Sequence, residues 1–443
     1  MEKKKLILNK LFALQRFGIK PGLERTLALL NEVGNPHNEI KTVHIAGTNG
    51  KGSVSSFIAS FLIEAGKNTG LYTSPHISRF NERIKINSKE IKDKELIDLA
   101  DLLLPIANKY KCTFFEITTA MAFLYFYHKR VDIAIIETGM GGRFDATNVL
   151  NPILSIITKI SFDHTQYLGK SLKEISLEKA GIIKQKTPLV LSKNNEEVVS
   201  IISQIAKSNQ SKLYYSEKII NIKNKKYYPD FSMSFDCKIN LANQNLKLIK
   251  NIFLPLAGSH QLENFCSAFV AFNLILQNDK NLLNSFERKP FALEQNVKQG
   301  LKKIFINTSL KARIQLIKQY PPIIIDVAHN PDAIFNLIQT IEHCGYTHKW
   351  DILFAVMSDK DYEKMLLSLK DICDGMILTN LKIERALSVE ILKAKALNIG
   401  INVIHTTNST KNALKFALGR NKPLLITGSF YLIDEILTLK YLD

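Results

Sequence analysis

The sequence contains few cysteines and no long apolar run. Its five cysteines are widely separated within 443 residues and include no C-x-x-C pair, which argues against a zinc cluster or a disulfide framework. No apolar stretch reaches the roughly 20 residues that a membrane-spanning helix needs, and the lysine-rich first residues lead into mixed sequence rather than into the apolar segment of a signal peptide. We therefore expect a cytoplasmic protein whose cysteines are reduced and which has no membrane partner.

Acidic residues are fewer than basic ones, 41 against 59, which leaves a formal net charge of +18. Such a charge suits a protein that binds nucleic acid, and a phosphate-loop ATPase stimulated by DNA or RNA is one alternative. The lysines, however, are scattered through nearly every segment, with no arginine-rich stripe and no interleaved aromatic residues. We therefore expect anionic small-molecule substrates, and no nucleic acid, to account for the charge.

The chain is organised around the segment from Lys41 to Ser53. Apolar residues predict a strand that ends near Ala46, and an apolar-periodic run from Val54 to Ala65 predicts a helix. The glycine-rich loop between them can bind phosphate through backbone N–H groups and a lysine, so the predicted ligand is a nucleoside triphosphate. The strict phosphate-loop pattern is not met, because Ile45 replaces its first glycine and Gly52 separates the lysine from the serine. The loop residues are Gly47, Thr48, Asn49, Gly50, Lys51, Gly52 and Ser53.

Apolar runs that alternate with helical patterns predict an α/β fold. The length favours two domains. We expect the first, at residues 1–295, to contain the phosphate loop and a mostly parallel sheet, and the second, at residues 296–443, to be a smaller α/β unit. We expect the domain boundary near residues 290–300. Ligands of such sheets bind at the carboxyl ends of the strands. Several polar residues directly follow predicted strands, namely Gly47, Ser74, Glu137, Asp163 and His164.

Three further segments have recognisable patterns. A helical lead-in is predicted from Leu6 to Phe17. A second helix, from Ser171 to Ala180, opens with a Ser-x-x-Glu capping box and ends at a glycine. From residue 212 to residue 254 the apolar period shifts towards two, with turn signals at Asn224 and Pro229, which predicts antiparallel hairpins.

Four positions carry side chains suited to catalysis. Glu137 follows an apolar strand opposite the phosphate loop, where a carboxylate can bind Mg²⁺, although such a residue can also be simply solvated. His164 can be a ligand or a packed capping residue. The segment Asp326 to Pro331 makes a good helix start and is functional only if the nucleotide faces it. Lys179, on its residues alone, is an exposed lysine in the last turn of a helix.

Ten sequence blocks resemble the folylpolyglutamate synthase and dihydrofolate synthase enzymes of the Mur ligase superfamily. The blocks occur in the same order along almost the whole chain, and together they are far more specific than the loop alone. The resemblance implies an ATPase domain and a C-terminal Rossmann-like domain that closes over the nucleotide. The blocks are HIAGTNGKGS, YTSPHISRFNERI, FFEITTAMAF, ETGMGGRFDATN, SFDHTQYLG, EKAGIIK, HQLENFCSA, DVAHNP, SDKD and TGSFYL.

The resemblance also implies roles for individual residues. ATP would be bound by the loop residues together with Asn264, Arg313, Asp326 and His329. One Mg²⁺ would be held by Ser74 and Glu137, and a second by His164 with Lys179, which is carbamylated in the family. Lys51, His164 and Lys179 would serve catalysis. The substrate would contact Arg79, Arg83, Thr113, Phe114, Phe115, Glu116, Phe144, Asp145 and Ala146. Two departures concern the ATP site, because Ala312 and Val327 stand where the family commonly has glycine.

The predicted function is that of an ATP-dependent amide ligase. It would add L-glutamate to dihydropteroate, to folates that already carry glutamate, or to both, through an acyl phosphate. The nearest alternative is a cell-wall Mur ligase. Against that alternative, Gly52 interrupts the Lys-Ser pair of the loop, and only about 40 residues precede the first strand, too few for a UDP-binding domain. We expect a monomer.

Overall fold

The computed structural model describes residues 2–14, 18, 20–240, 248–279, 282, 283, 286 and 292–442. They form an α/β fold with two mostly parallel sheets, as the sequence predicts. The strands of the first sheet are β1 (Thr42–Ala46), β2 (Thr69–Tyr72), β3 (Ile84–Ile86), β4 (Lys89–Glu90), β5 (Ile133–Glu137), β6 (Leu154–Ile157), β7 (Leu189–Leu191) and β8 (Leu213–Tyr215). Their order across the sheet is β4-β3-β2-β5-β1-β6-β7-β8.

The middle strands of this sheet are buried on both faces. Every residue of β1 and β5 is buried, which explains why the sequence shows nearly continuous apolar runs there. β1 pairs in parallel with β5 and β6, and β2 pairs in parallel with β5. The four strands therefore end at one edge of the sheet, and the loops that follow them lie side by side.

Helices cover both faces of the first sheet. Ile135 of β5 packs in the same core as helix Lys51–Glu64, whereas its neighbour Ile136 packs with helix Phe114–His128. No described helix is long and apolar enough to cross a membrane. The remaining described α-helices of this part are Glu2–Ala13, Glu24–Asn31, Asp93–Lys109, Thr165–Leu168, Leu172–Ala180, Glu196–Ser208, Ser216–Ile219, Ser259–Asn278, Ala292–Lys302 and Ile304–Thr308, and the 3₁₀ turns are Pro36–Glu39, Phe80–Arg83 and Ala146–Val149.

Two helix predictions are confirmed. The lead-in helix begins at Glu2, earlier than the predicted Leu6, and residues 15–17 of the predicted span lie outside the described residues. The helix Leu172–Ala180 has Ser171 as its N-cap, with the predicted capping box to Glu174.

The predicted antiparallel hairpins form a separate three-stranded sheet. Its strands are β9 (Ile220–Tyr227), β10 (Met233–Ile239) and β11 (Leu248–Leu254), and β10 lies in the middle. The predicted turn at Asn224 is wrong. Asn224 lies inside β9 with φ of 52°, opposite a register shift in β10, and its Nδ2 donates to Asp236 Oδ2 over 2.7 Å. Asparagine tolerates left-handed backbone, so the same residue type that favours turns here forms a β-bulge.

The C-terminal domain contains a six-stranded sheet. The order is β12-β13-β17-β14-β15-β16 for strands β12 (Gln315–Gln319), β13 (Pro322–Ile325), β14 (Trp350–Phe354), β15 (Cys373–Thr379), β16 (Val403–Thr407) and β17 (Leu424–Thr427). Only β12, at one edge, is antiparallel to its neighbour. The helices of this domain are Pro331–His343, Tyr362–Lys370, Val389–Asn398, Thr410–Gly419 and Phe430–Thr438.

The region of the expected domain boundary is helical. The expected break between residues 295 and 296 falls inside helix Ala292–Lys302, which packs on helix Lys51–Glu64 of the first domain. Ser60 Oγ donates to Gly300 O over 2.6 Å, and Asn307 Nδ2 donates to Ser60 Oγ over 3.0 Å. We therefore propose that the boundary follows Thr308, where the last helix of this packed group ends. Residues 287–291 lie outside the described residues.

Candidate active site

The phosphate loop follows β1 and needs its glycines for two different close approaches. Gly47 has φ of 152°, and a Cβ atom there would lie 1.8 Å from Thr158 Oγ1. Gly50 has φ of 91°, and a Cβ atom there would lie 2.2 Å from Asn264 Oδ1. Only glycine fits both positions. The second contact also shows that Asn264, predicted from the resemblance, lies against the loop.

Two lysines are held by carbonyl oxygens of this loop. Lys51 Nζ donates to Gly47 O over 3.0 Å and to Thr48 O over 3.1 Å. Lys179 Nζ donates to Gly47 O over 2.9 Å. The structure thus brings two predicted catalytic lysines together at one turn of backbone.

Lys179 is not an exposed lysine at a helix end, so that alternative is wrong. Its side chain is buried because the last turn of helix Leu172–Ala180 packs against the phosphate loop. Burial and the charge of Lys51 lower its pKa from 10.5 to about 7. A large fraction of this amine is therefore neutral near neutral pH.

Glu137 and Arg313 meet over Gly52. A Cβ atom on Gly52 would lie 3.5 Å from Arg313 Nη2 and 3.6 Å from Glu137 Oε2. Glu137 is the last residue of β5, and its Oε2 accepts a hydrogen bond from Ser74 N over 3.2 Å. Burial raises the pKa of Glu137, while Lys51, the Ser74 N–H and Arg313 oppose that rise. The buried carboxylate of Glu137 thus lies beside the phosphate loop, within the electrostatic influence of Lys51 and Arg313.

Asp326 fixes the backbone that carries Arg313. The carboxylate accepts hydrogen bonds from Ile314 N and Ala328 N, both over 2.7 Å. Burial raises the pKa of Asp326, and Arg313 is the strongest opposing charge. The guanidinium of Arg313 also lies over the ring of Phe430, 5.4 Å from its centroid. The C-terminal domain therefore places its arginine next to Gly52 of the first domain.

A cluster of charged side chains joins the two domains beyond β6. Lys360 Nζ lies 2.6 Å from Asp163 Oδ1 and 3.4 Å from His164 Nε2, and His329 Nε2 lies 3.4 Å from Asp163 Oδ2. Burial by itself raises the pKa of Asp163, but the hydrogen bond and charge of His329, with the charges of His164 and Lys360, hold it well below its ordinary range. Burial lowers the pKa of His164 to about 4.

The phosphate loop itself also contacts the second domain. Asn49 Nδ2 donates to Asp332 Oδ2 over 2.7 Å, and Asn330 Nδ2 donates to Asn49 Oδ1 over 3.0 Å. Asn330 is at the same time the N-cap of helix Pro331–His343, because its Oδ1 accepts from Ala333 N, which confirms the predicted helix start. The segment Asp326 to Pro331 therefore faces the nucleotide loop.

The predicted substrate segments are only partly open to a ligand. Thr113 and Glu116 form a capping box at the start of helix Phe114–His128, and Glu116 also pairs with Arg25 over 2.9 Å. Arg79 is largely exposed and pairs with Glu90. These three side chains are occupied by structural contacts in the described part of the chain.

The second predicted substrate segment is a tight turn. Asp145 is buried and accepts hydrogen bonds from Met140 N over 2.8 Å and Thr147 N over 3.0 Å. Burial raises its pKa against these hydrogen bonds. Ala146 is buried, whereas Phe144 is 49% exposed and free to contact a ligand.

Arg83 differs from Arg79 in being buried. Its Nε donates to His76 Nδ1 over 2.7 Å, and its guanidinium lies 5.3 Å from the ring centroid of Phe114. Burial lowers the pKa of Arg83 and also that of His76, to about 3. Phe115 lies close to Gly139, and its ring packs against that of Tyr72.

Four residues at the site were not predicted individually. They are His76, Asp332, Lys360 and Phe430. His76, Lys360 and Phe430 do lie in blocks that carry the resemblance, YTSPHISRFNERI, SDKD and TGSFYL. Their side-chain partners, however, are distant in sequence or in the other domain, so no local pattern could assign them.

The donor groups fit Mg²⁺ that binds together with a nucleotide. Among the described residues no group of three or more His, Cys, Asp or Glu side chains could hold a metal ion. Mg²⁺ usually takes only one or two carboxylates and fills its other positions with phosphate oxygens and water. The buried carboxylate of Glu137, which lies against Gly52 of the phosphate loop, matches that pattern.

Comparison with known proteins decides the family. The Mur ligase middle domain matches residues 45–272, and the Mur ligase, glutamate ligase domain matches residues 312–430. The dihydrofolate synthase/folylpolyglutamate synthase of Bacillus subtilis (strain 168) is 33% identical over 433 residues, which cover 95% of each protein. The chain belongs to the folylpolyglutamate synthase and dihydrofolate synthase family.

Other members of this family agree with the assignment. The probable dihydrofolate synthetase of Schizosaccharomyces pombe is 31% identical and covers 96% of this chain and 99% of its own length. A crystal structure of Mycobacterium tuberculosis folylpolyglutamate synthase with ADP and AMPPCP matches with a TM-score of 0.85 and 26% identity over 98% of both chains. Proteins of this family are ATP-dependent ligases that form amide bonds, and this chain is one of them.

Proposed function

We propose that this glutamate ligase acts on two acceptors, dihydropteroate and folates that already carry glutamate. The observation that carries the ATP-dependent chemistry of this proposal is the meeting of Glu137 and Arg313, from different domains, over Gly52 of the phosphate loop. A site assembled from two domains can bind a nucleotide, transfer its γ-phosphoryl group and exclude water. The name of the Bacillus subtilis relative, which includes both activities, supports the double specificity.

The reaction has two steps. An oxygen of the acceptor carboxylate attacks the γ-phosphorus of ATP, the bond to the bridging oxygen breaks, and ADP and an acyl phosphate form. The neutral α-amine of glutamate then attacks the acyl carbon, the bond to the phosphate oxygen breaks, and amide, phosphate and a proton are released. Catalysis requires positioning of the reactants and neutralisation of the charge that develops on phosphate oxygens.

The residues of the loop would perform this neutralisation. Lys51 would exchange its hydrogen bonds with loop carbonyls for phosphate oxygens, and Arg313 would approach the same phosphates from the second domain. The remaining ATP contacts are assigned to Asn264, Asp326 and His329. Asp326 acts mainly through the backbone that it holds.

Two magnesium ions complete the proposal. Ser74 and Glu137 would hold the first, and His164 with Lys179 the second. Bound Mg²⁺ supplies positive charge to the phosphates as they are transferred. Lys179 can contribute only after its neutral amine combines with CO₂ to give a carbamate and a proton, and its pKa of about 7 supports that reaction.

We propose that the acceptor binds beside Arg83 and the nearby aromatic rings. Phe114, Phe115 and the exposed Phe144 provide apolar surface for a pterin, and Arg83 provides charge for a carboxylate. We further propose that the protein acts as a cytoplasmic monomer and binds no nucleic acid.

The function is tested by supplying each acceptor separately. The protein is incubated with ATP, Mg²⁺, labelled glutamate and either dihydropteroate or tetrahydrofolate. We expect label in both products and one ADP for each amide formed. Label with one acceptor only would reduce the proposal to a single activity. No label with either, or ATP hydrolysis stimulated by a UDP-muramyl peptide, DNA or RNA instead, would overturn it.

A further inference from the structure

Arg83 is a buried arginine whose two Nη atoms are available to bind a ligand. The residue is 7% exposed, and its Nε donates to His76 Nδ1. In the described part of the chain, no residue accepts a hydrogen bond from its Nη atoms, and no carboxylate lies within ion-pair distance. A buried charge without a partner costs free energy, so this guanidinium favours an anion that comes from outside the chain.

His76 fixes the direction of that guanidinium. An arginine Nε is always a donor, so His76 Nδ1 must be the acceptor and the imidazole proton must sit on Nε2. The ring of His76 lies 6.4 Å from the ring of Phe12 and 6.1 Å from that of Phe80. These aromatic neighbours limit the rotation of the imidazole. Because the Nε position is occupied, both Nη groups remain for a two-pronged contact with a carboxylate.

The position of Arg83 selects which carboxylate is bound. Phe114 lies on one side of the guanidinium, and the backbone O of Arg83 accepts from Thr73 N, next to Ser74, whose N donates to Glu137 Oε2 beside the phosphate loop. A pterin against the aromatic rings would thus present its carboxylate towards the transferred phosphate. We propose that His76 is a positioning residue that orients Arg83 to bind the carboxylate of the acceptor. This inference rests on the proposed function.

The test compares variants of His76 in acceptor binding. Dihydropteroate binding is measured by calorimetry, and KM values are measured for dihydropteroate, glutamate and ATP. We expect His76→Leu to weaken dihydropteroate binding and raise its KM about tenfold, because a hydrogen bond to a charged group is lost. The KM for ATP should not change. His76→Asn, whose Oδ1 can replace Nδ1 as acceptor, should stay within about threefold of the wild type.

A matched control and a double variant separate positioning from packing. His37 is buried and stacks on Phe123, 6.2 Å away, and no arginine among the described residues donates a hydrogen bond to it, so His37→Leu should bind dihydropteroate normally. In an Arg83→Gln background, His76→Leu should change binding by less than about twofold, because His76 acts through Arg83. If His76→Leu does not fold, His76→Phe keeps a ring without an acceptor and carries the same expectations.

Three results would overturn the inference. They are normal dihydropteroate binding by His76→Leu and His76→Phe, a raised KM for glutamate alone, and additive effects of the His76 and Arg83 substitutions. Failure of the proposed function is distinguishable, because the wild type itself would then form no product from dihydropteroate.

Discussion

At the scale of single residues, Glu137 combines two properties that make it a sharp test. Burial disfavours its charge, yet the proposed Mg²⁺ site requires that charge. Glu137→Gln should therefore lower turnover about 100-fold or more, since several kcal/mol of charge stabilisation are lost. The melting temperature should not fall, because a buried charge is removed. Turnover at saturating Mg²⁺ and circular dichroism melting measure the two effects.

Glu95→Gln is the matched control for this prediction. Glu95 lies at the start of helix Asp93–Lys109, where it accepts from Lys92 N, away from the phosphate loop. Its substitution should affect helix stability slightly and leave turnover unchanged. Near-normal turnover of Glu137→Gln would remove Glu137 from the metal site.

Lys179 gives a second prediction at this scale, with a defined pH dependence. A pKa of about 7 in place of 10.5 means that the amine loses its proton, and becomes reactive towards CO₂, as pH rises through 7. With ¹³C-bicarbonate, the NMR signal of a carbamate should therefore grow between pH 6 and pH 8, which lie about one pH unit below and above the midpoint. Lys179→Ala should lack the signal and be nearly inactive, and acetate should partly restore turnover.

The control for Lys179 is Lys184→Met. Lys184 donates to Asn148 O, and burial lowers the pKa of Lys184 as well. Among the described residues, Lys184 makes no hydrogen bond to the phosphate loop. This variant should keep the carbamate signal. Normal activity of Lys179→Ala in CO₂-free buffer would show that the lysine has only a structural role.

At the scale of elements, the segment that leads into β12 contains an unusual backbone. Ala312 is buried with φ of 51°, where the family commonly has glycine, and Ala312 O accepts from Val327 N. Ala312→Gly would relieve about 1–2 kcal/mol of left-handed strain. It would also lose about 0.8 kcal/mol of methyl burial and about 0.5–1 kcal/mol through the flexibility of glycine in the unfolded state. Stability should change by less than about 1 kcal/mol.

Ala312→Val tests whether the backbone at position 312 is strained. A β-branched side chain at positive φ in a packed site should cost about 2 kcal/mol or more and move Arg313. Urea unfolding measures stability, and the KM for ATP reports the position of Arg313. Equal stability of the Gly and Val variants would show that this backbone is not strained.

At the scale of the whole molecule, the buried pair of Asp163 and Lys360 holds the domains together beside the phosphate loop. Lys360→Met leaves the carboxylate buried with one cation fewer, which should destabilise the closed arrangement by about 3–5 kcal/mol. The wild type should become more compact, by small-angle scattering, on adding AMPPCP with dihydropteroate. Lys360→Met should compact less and have a raised KM for ATP.

Lys364→Met controls for the loss of one positive charge. Lys364 pairs with Asp361 within its own helix region and is exposed. It should compact like the wild type. An unchanged radius for the wild type, or full compaction of Lys360→Met, would contradict a closing role for the Asp163–Lys360 pair.

Much of this organisation could be predicted from the sequence because it depends on short segments. The β1 strand, the glycine loop and helix Lys51–Glu64 have their own apolar period and turn residues, and Ser171 caps its helix through a residue only three positions away. The family blocks added the identity of the site. Local patterns failed where one residue type serves two purposes, as at Asn224, which forms a bulge instead of a turn.

Only the tertiary structure decided which of these residues meet and in what environment. Lys360 and Asp163 are 197 positions apart, and Arg313 reaches Gly52 from another domain. Lys179 has the sequence context of an exposed helix end, but packing against Gly47 buries it and lowers its pKa. Burial, charge and protonation depend on neighbours that folding brings together, whereas strand, loop and helix depend mainly on neighbours along the chain.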